Sequence, residues 1–177
     1  MEGGPSYSLS HRIFRAVWAC AWLLLARWTP PPLHRWRNLL LRIFGADVHA
    51  TARVYASARI WYPPNLTMRA HSVLGPHANC YCMDRVTIDE KAVVSQGAQI
   101  CGGTHDIRDP DFQLVTKPIR IRSRAWVAAN AFIGPGVTVG EGAVVGACAV
   151  LFRDAEAYGV YVGNPAVKIK TRESIEP

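Results

Sequence analysis

Apolar residues recur every six positions along most of this chain. The longest run is Ile121, Val127, Ile133, Val139, Val145 and Leu151. An earlier run is Val48, Val54, Ile60 and Leu66, and a middle one is Ile88, Val94 and Ile100. The next residue is small at Ala128, Gly134, Gly140 and Gly146, and four places on come Ala131, Val137, Ala143 and Ala149. A period of six is neither helical nor a plain strand alternation. It predicts a mainly β chain wound as a parallel β-helix, with one short strand per hexapeptide and three hexapeptides per coil of a triangular prism. Each apolar residue then points into the prism, and stacking supplies the core that no coil has alone. The small neighbours read as corner residues, where glycine can take positive φ. Residues 61–85 ("WYPPN", "CYCMD") blur the beat and Val73 falls one place late, so irregular coils are expected there.

The first 45 residues follow another rule. Phe14, Trp18, Trp22 and Leu25 mark one face of a helix. Pro30, Pro31 and Pro32 stop it. A second helix reads "LHRWRNLLLRIFG", with Leu33, Trp36, Leu40 and Ile43 on one side and Gly45 just past its end. The uninterrupted apolar run, Ala16 to Ala26, is half of the ~20 residues that a bilayer span needs. No basic region precedes residue 11 and no small-residue cleavage site follows, which argues against a signal peptide. Two readings stand: a helical hairpin packed on the main domain, or an interfacial pair contacting a membrane peripherally through residues 11–44, tryptophans among the headgroups and arginines on anionic lipid. The expected division is therefore 1–45, an N-terminal helical segment; 46–165, the β-helix; and 166–177, a C-terminal basic tail.

Composition narrows the partners. The chain has 177 residues, half of them hydrophobic, enough for one cored domain. Its net charge of +7 favours acidic partners: nucleic acid, anionic lipid or a phosphate-bearing cofactor. No paired Cys/His finger or RNA-binding aromatic signature accompanies that charge, so nucleic acid is not expected. Five cysteines, an odd number without framework spacing, read as reduced, mostly buried thiols of a cytoplasmic protein.

The stretch "AQICGGTHDIRDPDFQLVTKPIRI" (98–121) breaks the beat between Ile100 and Ile121. Flat faces and tight corners make no pocket, but an insertion at a corner does. Residues 102–118 read as such an extruded loop, and long loops in compact domains usually carry function. Its one histidine, His105, is the candidate general base, since an imidazole titrates near neutral pH. Asp106 could orient that ring or contact an acceptor; it could also be a turn residue. Cys101, four places earlier, is a conceivable acyl-enzyme nucleophile. His71 and His77 are six apart and should sit on different faces, which makes no three-ligand zinc site; no metal is expected.

Four stretches carry a resemblance: "LLRIFGA" (40–46), "THDIRDPDFQLVTKPI" (104–119), "AWVAANAFIGPGVTVGEGAVVGA" (125–147) and "VYVGNPAVKIK" (160–170). Together they resemble the left-handed β-helix hexapeptide acyltransferases, and more narrowly the colanic-acid-biosynthesis acetyltransferases related to maltose and galactoside acetyltransferases. The resemblance implies left-handed coiling, a homotrimer with active sites between subunits, and acetyl-CoA as co-substrate. It also implies an O-acetyltransferase with a sugar or lipid-linked sugar acceptor, acting in polysaccharide or glycan biosynthesis by direct transfer. His105 matches the family's catalytic histidine. Asn79, in "HANCYCMD", matches an asparagine that contacts the acetyl group or acceptor, though asparagine also suits a corner. Asp84 closes that segment as a weaker acceptor-binding candidate. The backbone at Ala129 and Ala147 would line the pantetheine arm, the Ala129 amide polarising the thioester carbonyl. Arg153, Lys168 and Lys170 would lie near the cofactor's phosphates.

The chain departs from the family pattern twice. Ala129 stands where many relatives carry a hydroxyl. "IRIRSRAW" (119–126) replaces I-x-I-G-D-x-x-W, and its alternating Arg120, Arg122 and Arg124 should share a strand face. They could favour an acidic acceptor or pair with acidic loop residues. Two rival functions use the same fold: a non-catalytic trimerisation scaffold and a metal-dependent hydratase.

Overall fold

A computed structural model describes residues 7–173. Residues 1–6 of the expected N-terminal segment and 174–177 of the expected tail lie outside the described residues. From Asp47 to Leu151, short parallel strands wind into a three-faced β-helix. The first face stacks Val48, Met68, Ile88, Ile121 and Val139. The second stacks Val54, Leu74, Val94, Val127 and Val145. The third stacks Ile60, Cys80, Ile100, Ile133 and Leu151. All fifteen point inward, and none exceeds the 6% exposure of Ile60.

The long and middle runs hold as read; the early run holds through Ile60 and fails at Leu66. Met68, not Leu66, stacks on Val48, because a 3-10 turn at Pro63–Asn65 lengthens that corner by two residues. Six residues after Met68, Leu74 and not Val73 therefore faces inward, and the same corner is lengthened again one coil on, between Cys80 and Ile88. In the third coil it holds the whole 102–118 insertion. Three lengthened corners therefore lie along one edge.

Gly134, Gly140 and Gly146 do not take positive φ; that conformation falls three residues after the inward position, at Asn130, Gly136, Gly142 and Cys148. Space is what the small residue provides. A Cβ on Gly140 would stand 2.6 Å from the Ala155 carbonyl oxygen and from the Ala157 nitrogen.

Each coil's amides donate to carbonyls of the next: His49 to Met68, Arg53 to Ser72, Tyr55 to Leu74. The first coil's own carbonyls have no preceding coil, and buried acceptors need partners. Helices α1 (Leu9–Leu25) and α2 (His34–Ile43) supply them. Trp18 Nε1 donates to Ile60 O (2.7 Å), Trp22 Nε1 to Ala56 O (3.2 Å), Arg37 Nε to Val54 O (2.7 Å) and Asn38 Nδ2 to Ala52 O (2.7 Å). Arg37 is wholly buried without a carboxylate; its remaining N–H groups go to Thr29 Oγ1, Pro30 O and Pro31 O, tying the proline turn to α2.

This demand for donors overrides the apolar face predicted for α2. Arg37, Asn38, Leu40 and Leu41 are buried, whereas Leu33, Trp36 and Ile43 are exposed. On α1, Trp18 and Trp22 pack inward as expected, with Ala26 in place of Leu25. Gly45, at φ +88°, follows α2 as predicted. At the other end, Val167–Thr171 pairs antiparallel with Gly159–Val162, so the described part of the basic tail is a strand.

Candidate active site

The insertion is a β-hairpin. Gly103–His105 pairs antiparallel with Leu114–Thr116, His105 opposite Leu114. Its base is tied to the coil below: Gly102 N donates to Tyr81 O and Lys117 N to Gly102 O, both 3.0 Å. His105 Nδ1 lies 2.6 Å from Phe112 O. A carbonyl only accepts, so Nδ1 carries the proton and Nε2 keeps its lone pair. Asp106 does not orient the ring. Its carboxylate accepts from Arg108 N (2.9 Å) and Arg108 Nε (3.3 Å), shaping the hairpin's own turn.

A cavity of about 340 Å³ opens beside His105, with walls from Leu114, Trp61, Tyr81, Tyr7 and Arg15. Trp61 and Tyr81 stand on successive lengthened corners, rings 5.4 Å apart. The Arg15 guanidinium lies 4.1 Å from the Trp61 ring centre. Burial, then the Tyr81 hydroxyl, raises the Tyr7 pKa above its ordinary value. Asn79 faces outward two residues from Tyr81, on a strand and not at a corner, its Nδ2 donating to Gln99 Oε1 at 2.9 Å. Asp84 is half-buried and accepts from Arg85 N at 2.6 Å. Neither lines the cavity.

The expected cofactor residues lie elsewhere. Ala129 and Ala147 stack on the corner between the second and third faces, linked by Cys148 N to Ala129 O at 2.9 Å. Their own amides have no hydrogen-bond partner among the described residues, as at other corners of the prism. Arg153 and Lys170 are exposed. Lys168 Nζ pairs with Glu156 Oε2 at 2.5 Å, and that bond raises its pKa. The hairpin leaves the prism at the corner between the third and first faces, so one chain does not gather His105 and these residues into one cavity.

Cys101 donates to Gly103 O at 3.3 Å. His71 and His77 occupy separate corners at φ 58° and 57°. No group of three potential metal ligands occurs among the described residues. Arg120, Arg122 and Arg124 do not share a strand face, because the strand ends at Ile121 and Arg124 has turned the corner at φ 58°. Arg120 pairs with Asp89, which is 8% exposed, at 2.8 Å. These arginines do not line the His105 cavity. The cation there is Arg15, which sequence reading missed. The irregular "WYPPN" and "CYCMD" segments could have pointed to Trp61 and Tyr81; nothing in the pattern singles out Arg15.

Residues 118–153 match the family described as bacterial transferase hexapeptide (six repeats). The chain is 37% identical over 160 residues to a protein named as the colanic acid biosynthesis acetyltransferase WcaF of Escherichia coli K12, covering 90% of this chain and 88% of that one. Among solved structures, a maltose O-acetyltransferase from Clostridium difficile 630 superposes with a TM-score of 0.83 at 22% identity, covering 94% of this chain and 90% of that one. A hexapeptide-repeat acetyltransferase from Vibrio cholerae, complexed with acetyl coenzyme A, also gives 0.83, at 20% identity and covering 98% and 94%. The chain belongs to the hexapeptide-repeat acetyltransferases and is a homologue of the colanic acid biosynthesis acetyltransferase WcaF.

Proposed function

We propose that this protein transfers an acetyl group from acetyl-CoA to a sugar hydroxyl during polysaccharide assembly, with His105 as general base. The observation that carries the reading is the imidazole itself, which lines an aromatic-walled cavity and is held at Nδ1 by Phe112 O, leaving Nε2 as the acceptor. Nε2 takes the hydroxyl proton as the oxygen attacks the thioester carbonyl. The carbonyl oxygen gains negative charge, which the unpaired amide of Ala129 stabilises. Collapse breaks the C–S bond, and the imidazolium returns its proton to the leaving CoA sulfur. Orientation within the ternary complex supplies much of the remaining acceleration. Arg153, Lys168 and Lys170 attract the cofactor's phosphates, and Asn79, Asp84 and Asp106 border the acceptor side.

The active unit is a homotrimer, His105 of one subunit meeting the Ala129–Ala147 corner of the next. Two features support this. The corner and the hairpin lie on different edges of one chain. The second face also turns an apolar stripe outward, Val73, Val93, Trp126 and Val144, with Trp126 47% exposed.

The helical cap contacts an anionic membrane peripherally. Residues 7–46 hold six arginines and no acidic residue. Both helices pack by one side and expose apolar side chains on the other, Leu9, Ile13, Leu24, Leu39 and Ile43 among them. No helix among the described residues is long and apolar enough to cross a membrane.

The test is release of free CoA from acetyl-CoA against a panel of sugars and glycosyl phosphates. Acceptor-dependent release should fall at least ~100-fold in His105→Ala. Equal release from both proteins would remove His105 from the mechanism.

A further inference from the structure

Three cavities lie along the edge between the first and second faces, away from both the hairpin and the Ala129–Ala147 corner. Two of them, about 380 and 220 Å³, carry both signs of charge, with Glu90 and Glu141 in each. The third, about 240 Å³, is lined by Lys91, Arg124, Gly142, Tyr158 and Arg172 and by no acidic residue. Its shape comes from the repeat. Lys91, Arg124, Gly142 and Tyr158 hold the same corner position in four stacked coils, each with φ between 57° and 61°. Three of them carry a side chain, and Gly142 leaves a gap in the column. The Tyr158 ring lies across that gap, since a Cβ on Gly142 would stand 2.7 Å from it. Arg172 closes one side, its amide donating to Tyr158 O (2.8 Å) and its Nη1 to Gly142 O (3.1 Å).

The cations of this pocket lack anions. Arg124 is half-buried and makes no ion pair among the described residues. Lys91 lies 3.7 Å from Glu90 with both side chains about half exposed, a pairing that contributes little. The partner of the Arg172 guanidinium is a neutral carbonyl. Arg120, two rungs of the same motif away, does have its carboxylate in Asp89. Arg124 therefore needs a different explanation.

The trimer proposed above sharpens the shortage. There the hairpin of one subunit meets the Ala129–Ala147 corner of the next, and the apolar second face is covered. In a ring of three triangular prisms both conditions hold when the first face of one subunit opposes the second face of its neighbour. The edge between those two faces then points at the three-fold axis. In the two mixed cavities, acids and cations of neighbouring subunits can pair across the axis. In the third, Lys91, Arg124 and Arg172 of each subunit meet the same three cations of two others. Like charges gathered where water is scarce repel strongly unless an anion joins them. Guanidinium and ammonium groups beside an aromatic face suit a phosphoryl group.

We propose that this pocket is a second anion site, separate from the cofactor corner, which takes a phosphoryl group between Lys91, Arg124 and Arg172 and thereby links trimer assembly to phosphate. The pocket stands on the geometry of one chain; its place at the axis rests on the trimer reading. The ligand is inorganic phosphate or the phosphate of a small metabolite, whose ring Tyr158 could stack.

The test is sedimentation of the full chain through a dilution series, in 10 mM phosphate and in chloride of equal ionic strength. Phosphate should lower the concentration at which half the protein is trimeric by about tenfold or more. Phosphate also strengthens apolar burial without any site, so the decisive reading is the variant. Arg124→Gln should lose most of the phosphate gain. In chloride the same variant should hold its trimer at least as well as the wild type, because a repelling charge has gone. Lys91→Gln should act in the same direction. Adenosine monophosphate in place of phosphate distinguishes the sources: a larger gain assigns a nucleotide, an equal gain the free ion.

Equal phosphate gains in wild type and Arg124→Gln would overturn the proposal. So would a variant trimer weakened equally in both salts, which would make Arg124 a bond across the interface. Saturating CoA should leave the phosphate gain in place; its loss would return the pocket to the cofactor and end the proposal. If the protein is monomeric throughout, the trimer reading fails, and calorimetry with inorganic phosphate decides the pocket alone. Binding at least tenfold weaker in Arg124→Gln would sustain it; absent or equal binding would end it.

Discussion

The β-helix and the cap that closes it bury side chains by opposite rules. In residues 47–151 one requirement repeats, an apolar residue every sixth place with extra length at one corner, and any rung resembles its neighbours. In residues 7–46 nothing repeats. The end of the stack presents backbone carbonyls, so the cap must bring N–H donors: two indoles, one asparagine amide and one guanidinium. A composition rich in arginine and tryptophan and empty of acids suits that task. Repetition makes the β-helix tolerant of change at one rung. The cap should be sensitive to single polar changes.

That contrast can be broken at Arg37. Arg37→Met keeps an apolar stem but removes the bonds to Val54 O, Thr29 Oγ1, Pro30 O and Pro31 O, and should cost about 3–5 kcal/mol. Arg35→Met, at an exposed position of the same helix, should stay within about 0.5 kcal/mol. Urea unfolding of both variants decides; a loss near 1 kcal/mol for Arg37→Met would mean the donors are incidental. The next test compares one cap residue with one rung. Trp18→Phe keeps a ring and deletes the bond to Ile60 O, for about 1–3 kcal/mol. Ile133→Val removes one buried methylene, for about 0.5–1.5 kcal/mol. A reversed order in thermal melts would count against the contrast.

The smallest effect concerns pH. His34 and His11 both have lowered pKa values, chiefly because burial in the cap disfavours the charged ring. Unfolded, they titrate near 6.5. Below that value the unfolded chain binds protons that the folded cap refuses, so stability falls as pH drops through 6.5 and is flat above about 7. His34→Gln should flatten the slope between pH 7 and 5.5. An unchanged slope in that variant would assign the effect elsewhere.

The same contrast explains what could be read from sequence. The fold was legible because its signal recurs in Ile121 through Leu151, and the hairpin was legible as the break in that signal. His105 followed, being the one histidine inside the break. Leu66 and Val73 were misplaced because corner length is invisible to a fixed period. The α2 face was misread because an apolar count cannot foresee that Arg37 and Asn38 would answer orphaned carbonyls. Arg15, Trp61 and Tyr81 come from three segments with no shared motif, and only the stacked corners unite them.

The division of the site between two edges of the prism is the claim on which the mechanism depends. It is tested by mixing two variants, His105→Ala, which removes the base, and Ala147→Trp, which fills the exposed cofactor corner. Each alone should be inactive. In mixed trimers some interfaces pair an intact hairpin with an intact corner, so acetyl transfer should recover to about one quarter of the wild-type rate. A mixture as inactive as its components would place the whole site within one chain and contradict the account.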